Sequence, residues 1–209
     1  MAKYQILPLF SSPVYVNEIE DIDLKKYLKL VKKCKWRISG EKKEKELENL
    51  SFNSEDHTIL ENKEFKILKE RIMKEFNIFK NDIMKYKNNF RITTSWCTLS
   101  KKNQYSNLHK HTNCMFSGIL YLNTNENDGD LYFENVNNRS FFIEPDVNNL
   151  YNSHSFNIVP KVGRIVFFPS ELLHRIELNK TNSERISIAF NFFPVGKIGG
   201  GDSYLDISN

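Results

Sequence analysis

The sequence predicts a mainly β fold, of the sandwich or jelly-roll type, with helices at its N-terminal end. Three observations support this prediction. The stretch Arg185–Phe192 alternates polar and apolar residues with a period of two, as a strand with one buried face does. From Phe90 onward, short strand-like stretches alternate with turn signals such as residues 125–129. Between Lys63 and Lys87, apolar residues recur at three- and four-residue steps, which is helical spacing.

Length and composition favour one structural domain of a globular protein. We expect residues 1–89 to form an N-terminal arm with supporting helices, and residues 90–209 to form the β core. A net charge of +4 gives no indication of a nucleic-acid partner. The three cysteines, Cys34, Cys97 and Cys114, have no paired spacing, which favours a reducing, cytoplasmic setting. Because no signal peptide and no apolar run near 18 residues occurs, we expect a soluble protein without a membrane partner.

The N-terminal part predicts an extended arm and two helices. Residues Ile6–Val16 are apolar and interrupted by a proline, which favours an opening strand or an arm. Asp21 or Asp23 can cap a helix whose apolar positions share one face, namely Leu24, Tyr27, Leu28 and Val31. The charged stretch Gly40–Asn49 favours a solvated loop. The longer helix presents a second apolar face that is expected to pack on a sheet: Phe65, Leu68, Ile72, Phe76, Phe79, Ile83 and Tyr86.

The chemistry is concentrated between His109 and Ser187. His109 and His111 are two residues apart, so on an extended segment both side chains point to the same side. His174 can complete one face of a coordination shell, because neutral imidazole is a common ligand of transition metals. Arg185 and Ser187 are about 7 Å apart on one strand face. A guanidinium beside a hydroxyl is a good receptor for a carboxylate.

These pieces, in this order, resemble the iron(II)/2-oxoglutarate-dependent oxygenases, and most closely their prolyl-hydroxylase-like branch with its small bacterial and phage members. The resemblance covers about half of the chain. It is carried by the following residues: Trp96, His109–Asn113, Ser117–Asn123, Gly129–Phe133, Phe167–His174 and Arg185–Ser187.

The resemblance implies a double-stranded β-helix (jelly roll) and the activity of a dioxygenase or hydroxylase. It implies iron(II) as the metal and 2-oxoglutarate as the cosubstrate, and it leaves ascorbate open as an accessory reductant. Arg185 and Ser187 would bind the far carboxylate of the cosubstrate, and Tyr121 and Asn123 are candidates for the wall beside it. The substrate implied is a protein side chain or a small molecule.

The sequence departs from the family's pattern at His111. The first ligand pair is usually His-x-Asp or His-x-Glu, whereas here it is His109-x-His111. Three interpretations are open: His111 is a ligand in an all-histidine site, Asn113 lies near the place of the acid with His111 as the first ligand, or two histidines bind and water fills the gap. We favour His109 and His174 as ligands, with His111 at the carboxylate position.

Two other functional classes remain open from the sequence. A jelly roll without the acid ligand is compatible with a non-catalytic, cupin-like binding or structural protein. Three histidines around an open position also occur in zinc hydrolases, which need a nearby acid as general base, and Glu171 is the weak candidate. The remaining histidines, His57 and His154, lie in polar stretches and are expected on loops.

Overall fold

The computed structural model describes residues 5–39, 49–135 and 143–207. The predicted charged loop therefore lies outside these ranges except for Asn49, and the irregular stretch before Pro160 lies partly outside them. The described residues contain two α-helices, α1 (Leu24–Val31) and α2 (Lys66–Ile78). They contain the strands β1 (Tyr15–Glu18), β2 (Trp36–Ile38), β3 (Phe52–Ser54), β4 (Asn89–Ser100), β5 (Phe116–Asn123), β6 (Leu131–Glu134), β7 (Ser155–Ile158), β8 (Arg164–Pro169), β9 (His174–Ile176), β10 (Arg185–Ile198) and β11 (Leu205–Ile207).

The strands form two antiparallel sheets, which confirms the mainly β prediction. The larger sheet has the order β1-β8-β5-β10-β4-β3-β2, and β11 pairs with the end of β10. The smaller sheet has the order β7-β6-β9. One hydrophobic cluster joins the two sheets, since it contains Ile119 and Phe168 from the larger sheet and Leu131 and Ile176 from the smaller one. The interior between the two sheets is therefore the jelly-roll core.

The helices cover the outer face of the larger sheet, as the sequence predicted. Asp23 caps α1 by accepting a hydrogen bond from the backbone N–H of Lys26. On α2, the Phe76 ring stacks on Phe192 of β10, with ring centroids 3.8 Å apart. A single cluster holds residues from the helices and from the β core. On this basis we propose that residues 1–89 and 90–209 fold as one unit.

The end of the second helix differs from the prediction. The helix was expected to run to about Lys87 with Ile83 and Tyr86 on its buried face, but 56% of Ile83 and 37% of Tyr86 are exposed. After Ile78 the backbone takes a π-helical turn to Met84. A π turn holds more residues than an α turn, so residues at the apolar spacing of an α-helix no longer point to the sheet.

No helix among the described residues is long and apolar enough to cross a membrane.

Strand β10 is the central strand of the larger sheet and sets the rows of side chains that face the interior. Its apolar positions Ile186, Ile188, Phe190 and Phe192 pack toward the helices. The alternate positions face the smaller sheet, because successive strand side chains point to opposite faces. Three rows across the sheet carry polar groups on that inner face. The first row is Arg185 and Ser100. The second row is Tyr121, Ser187, Thr98, Asn53 and Arg37. The third row is Phe168, Ser117, Asn191 and Thr94.

Candidate active site

Two of the predicted histidines are held together by the backbone. His109 and His174 form an antiparallel bridge, in which each backbone N–H donates to the other residue's carbonyl at 2.9 Å. The rings lie side by side, with centroids 4.4 Å apart. The bridge joins the segment before β5 to the start of β9, and it explains how residues 65 positions apart come to face one point.

The same two rings are fixed in one tautomer. The Nδ1 atom of His109 lies 2.7 Å from the carbonyl oxygen of Asn107, and that of His174 lies 2.8 Å from the carbonyl oxygen of Leu172. A carbonyl oxygen only accepts hydrogen bonds, so each Nδ1 must carry the proton. The Nε2 atom of each neutral ring therefore presents a lone pair.

His111 is oriented by side chains of the inner face. Its Nδ1 lies 2.7 Å from Oδ1 of Asn191 and 2.9 Å from the hydroxyl of Ser117. The Asn191 amide is oriented in turn, because its Nδ2 donates to Thr94 at 2.9 Å while its Oδ1 accepts from Ser117 at 2.8 Å. An acceptor at Nδ1 requires the proton there, so His111 also presents Nε2 as a lone pair.

The three histidines converge. Their ligating nitrogens all lie within 4.8 Å of one another, and the Nε2 atoms of His109 and His111 are 3.2 Å apart. Burial lowers the pKa of His174 to about 3 and also lowers the pKa of His111, and the neighbouring His109 adds to both effects. Three imidazoles whose free nitrogens meet in one small volume fit a transition-metal ion.

The geometry bears on the interpretations of the missing acid. His111 lies in the cluster, whereas Asn113 is an exposed residue with left-handed backbone geometry (φ 57°). Glu171, the candidate base of a zinc hydrolase, is exposed and does not line the cavity. None of the described residues that line the cavity is acidic. Of the candidates for the place of the acid, His111 and not Asn113 lies in the cluster with His109 and His174.

Arg185 is buried with incomplete hydrogen bonding. Its side chain is 1% exposed, and its Nη atoms donate weakly to the carbonyl of Gly129 at 3.2 Å and to the Ser100 hydroxyl at 3.3 Å. Its Nε has no partner. Burial lowers its pKa, while the nearby Tyr121 and Asp128 favour the charged form. A buried guanidinium with a free donor is suited to an anionic ligand.

Asp128 is a nearby acid that does not neutralise Arg185 directly. Its Oδ1 accepts hydrogen bonds from the hydroxyls of Thr181 and Ser183, and its Oδ2 accepts from the backbone of Asn125. Among the described residues, no carboxylate oxygen lies within 4.0 Å of the guanidinium. The acid secures the turn that leads into β10, and Arg185 keeps its capacity for a second anion.

Ser187 and Tyr121 are neighbours in register on the inner face. The Ser187 hydroxyl is buried and shares a 2.6 Å hydrogen bond with Thr98 on the next strand. Tyr121 is fully buried, its hydroxyl has no partner, and burial raises its pKa to about 12. The phenol is therefore protonated at neutral pH and available as a donor beside Arg185.

The prediction that Asn123 shares the wall with Tyr121 needs a correction. The pairing of β5 with β10 shifts between Ile186 and Ser187, so Asn123 lies opposite Ile186, whose side chain points away from the interior. A β-bulge changes the face to which the following residues point. The Asn123 amide donates to the carbonyl of Glu184 instead, and Asn123 does not line the cavity.

One cavity contains both ends of the predicted site. The three histidines and Arg185 line it, together with Trp96 from the sequence motifs. Ser187 and Tyr121 share the inner face with Arg185 but are not among the lining residues. Sequence reasoning missed Thr98, Asn53 and Ser39, which also line it, and it gave no role to Asn191, which orients His111. Asn191 could have been found, because it lies on the predicted inner face of β10 in line with Arg185 and Ser187.

Comparison with protein families finds one model that matches this stretch. Residues 94–191 match a family described as putative 2OG-Fe(II) oxygenase. The matched range includes the three histidines, Arg185 and Asn191. No curated protein matches the sequence.

Solved structures confirm the jelly-roll fold. HygX from Streptomyces hygroscopicus, solved with nickel, 2-oxoglutarate and hygromycin B bound, has 11% identity and a TM-score of 0.62, covering 88% of this chain and 83% of that chain. A prolyl-4-hydroxylase from Pseudomonas putida has 15% identity and a TM-score of 0.57, covering 88% and 94%. A Trichoplax adhaerens prolyl hydroxylase, solved with a peptide of hypoxia-inducible factor, has 13% identity and a TM-score of 0.60, covering 86% and 83%. At these identities, the likeness shows the fold alone.

Proposed function

We propose that the chain is a 2OG-Fe(II) oxygenase that depends on iron(II) and 2-oxoglutarate, the family whose model residues 94–191 match, and we assign a role to each residue of its site. His109, His111 and His174 hold the iron(II) through their Nε2 atoms. Arg185 binds the far carboxylate of 2-oxoglutarate, and Ser187 and Tyr121 lie beside it. The chain acts as a hydroxylase on a protein side chain or a small molecule.

The observation that carries the proposal is the convergence of three imidazole nitrogens. Two Nε2 lone pairs that face each other at 3.2 Å repel unless a cation lies between them. Each Nδ1 has an acceptor that keeps the proton away from Nε2. Such outer hydrogen bonds accompany histidine ligands of metals and fix their tautomer and orientation.

The other end of the cavity fits a dicarboxylate. The Nε of Arg185 and the hydroxyl of Tyr121 are buried donors without partners. Leaving such groups unpaired costs about 1–3 kcal/mol each, which a bound carboxylate would offset. Arg185 and the histidines line the same cavity, so one elongated ligand can reach both ends.

The chain's residues bind, orient and exclude water, while the bound groups supply the oxidation of a C–H bond by dioxygen. The histidines fix the metal on one side of the cavity. Arg185 orients the cosubstrate from the opposite end. Apolar side chains between them keep the reacting centre dry: Ile119, Leu131, Phe168, Ile176 and Ala189.

The test is a pair of measurements on the purified chain. Anaerobic loading with iron(II), followed by titration of 2-oxoglutarate, should give a visible charge-transfer absorption band that reaches saturation. Admission of oxygen with ascorbate should convert 2-oxoglutarate to succinate, slowly, because no primary substrate is present. His174→Ala should abolish both signals, and Glu171→Gln, which changes an exposed residue outside the cavity, should leave both unchanged.

A non-catalytic jelly roll is the second candidate, and the absence of an acidic ligand is the observation that favours it. Such a protein would bind the metal without 2-oxoglutarate, and Arg185 would have no role in ligand binding. Metal binding without an absorption band and without succinate would support this second candidate and overturn the proposal. The zinc-hydrolase alternative has no support, since Glu171 does not line the cavity.

A further inference from the structure

The cavity has polar lining residues that the proposed metal and cosubstrate sites do not use. They include Ser39, which directly follows β2, and Asn53 of β3. Asn53 donates from Nδ2 to the Ser39 hydroxyl at 3.2 Å. Its Oδ1 accepts no hydrogen bond from any described residue, so it can accept one from a ligand.

Arg37 extends this wall to the surface. It pairs in register with Asn53 and precedes Ser39 by two residues, so its side chain shares their face of the sheet. The guanidinium is exposed and lies 2.9 Å from the Nε2 of His57. Arginine only donates, so His57 must accept through an unprotonated nitrogen. We call Arg37, Ser39 and Asn53 the β2–β3 shelf.

Within the described ranges, the positive charge of the shelf has no acidic partner. No carboxylate oxygen there lies within 4.0 Å of Arg37. Asp56 is adjacent in sequence to His57, but its Oδ1 accepts from Thr58 and its Oδ2 accepts from Asn62. The guanidinium is thus held in place by its contact with the His57 ring and keeps donors free for an oxyanion.

The position of the shelf assigns it to the primary substrate. Arg185 and Tyr121 are the donors proposed for 2-oxoglutarate, and they lie on strands β10 and β5. Arg37 lies two strands beyond Thr98, roughly 10 Å away at the usual strand spacing. Ser39 and Asn53 of the shelf line the same cavity as Trp96 and the histidines, so a molecule bound beside the histidines can also contact the shelf.

We propose that the β2–β3 shelf recognises a carboxylate or phosphate group of the primary substrate, with Arg37 binding the oxyanion and Asn53 accepting from an adjacent N–H or O–H. This inference rests on the proposed oxygenase function. It assigns the substrate to the class of molecules that carry an oxyanion at some distance from the oxidised carbon.

The test uses matched probes that differ only in charge. Each N-acetyl amino acid, which carries a carboxylate, is compared with its neutral C-terminal amide. For serine, threonine and tyrosine, the phosphorylated amide is also compared with the unphosphorylated amide. Ligand-observed NMR measures their binding to the chain loaded with iron(II) and 2-oxoglutarate under anaerobic conditions. At least one carboxylate or phosphate member should bind about tenfold more tightly than its neutral counterpart, as expected for a charge-assisted pair. The carboxylate and phosphate arms distinguish the two kinds of oxyanion.

Two variants isolate the shelf. Arg37→Gln should remove the preference for the charged members, while Arg91→Gln, at the far end of β4 and outside the cavity, should retain it. Neither variant should change the affinity for 2-oxoglutarate. Binding without a charge preference, no binding of any charged member at tens of millimolar, or a preference that survives in Arg37→Gln would each overturn the inference.

These measurements distinguish failure of the proposed oxygenase function from failure of the shelf inference. If the wild-type chain binds no 2-oxoglutarate, the oxygenase proposal fails, and the shelf inference fails with it. If 2-oxoglutarate binds through Arg185 but the probes show no dependence on Arg37, the shelf inference alone fails.

Discussion

The Nε2 atoms of His109 and His111 lie 3.2 Å apart, and in the tautomers that the Nδ1 contacts favour, both nitrogens present lone pairs. The Nδ1 atom of His109 faces the carbonyl oxygen of Asn107, and the Nδ1 atom of His111 faces Oδ1 of Asn191. Ligand atoms around a metal at about 2.0–2.1 Å are separated by similar distances, so the spacing fits neighbouring positions of one coordination shell.

The first prediction is that all three histidines bind the metal. His111→Ala should lower the affinity for iron(II) by more than the roughly 10- to 100-fold that follows the loss of an outer hydrogen-bond partner. Isothermal titration under anaerobic conditions measures the affinity, and His57→Ala serves as a control outside the cavity. An unchanged affinity in His111→Ala would favour the interpretation with two histidines and water.

The second prediction concerns Asn191. Asn191→Ala should lower metal affinity by roughly 10- to 100-fold, because His111 loses the acceptor that holds its proton on Nδ1. Asn191→Asp supplies an acceptor at the same place and should bind the metal far better than the alanine variant. If both variants bind equally, the hydrogen bond has no part in orienting His111. Asn157→Ala, on the exposed side of the smaller sheet, should bind as the wild type does.

The third prediction separates the two ends of the cavity. Arg185→Lys should keep a positive charge but lose the planar fork, which should weaken 2-oxoglutarate binding by about 1–3 kcal/mol. Metal affinity should change little, because Arg185 is not a ligand. Titration of 2-oxoglutarate into the iron-loaded protein measures the effect. Equal affinities in wild type and variant would mean that Arg185 has a structural role only.

The fourth prediction uses the unpaired hydroxyl of Tyr121. Tyr121→Phe removes a buried donor without a partner, so the ligand-free protein should be as stable as the wild type or more stable. The same change should weaken 2-oxoglutarate binding by about 1 kcal/mol if the hydroxyl donates to the carboxylate. Thermal unfolding with and without 2-oxoglutarate measures both effects. A variant that loses stability in the absence of ligand would show that the hydroxyl already has a partner.

Much of this site follows from one strand pattern. The alternation in Arg185–Phe192 predicted which residues face the helices and which face the interior, and the structure has the same division. The spacing of His109 and His111 likewise predicted rings on one side. These inferences hold because the two-residue period is a local property of the backbone.

The parts that were missed depend on pairing between distant strands. Thr98 and Asn53 reach the cavity only because β4 and β3 pair in one particular register, which is not encoded in either strand alone. Asn123 was misassigned because a bulge interrupts the alternation. Ile83 was misassigned because a π turn interrupts the helical period. In each case, the direction of the side chain depends on a feature that the local period does not contain.

The last prediction concerns stability at acidic pH and rests on Glu75, which joins α2 to the opening strand. Its carboxylate accepts hydrogen bonds from Tyr15 at 2.6 Å and Asn17 at 2.9 Å, and it forms an ion pair with Arg71 at 2.6 Å. Burial alone would raise the pKa of Glu75, but these three partners together hold it below the ordinary value of 4.5.

The sign of the effect follows from the direction of that shift. A carboxyl group with a lowered pKa in the folded state contributes stability above the unfolded value, and that contribution is lost as the pH falls through the lower, folded value. At neutral pH, Glu75→Gln should reduce the free energy of unfolding by about 1–3 kcal/mol, since it removes a buried, charged acceptor. The difference between wild type and variant should shrink as the pH falls below about 4.5. Urea unfolding from pH 7 to pH 3 measures it, with the exposed Glu70→Gln on the same helix as the matched control. A difference that stays constant over this range would mean that the charge of Glu75 does not contribute to the attachment of β1.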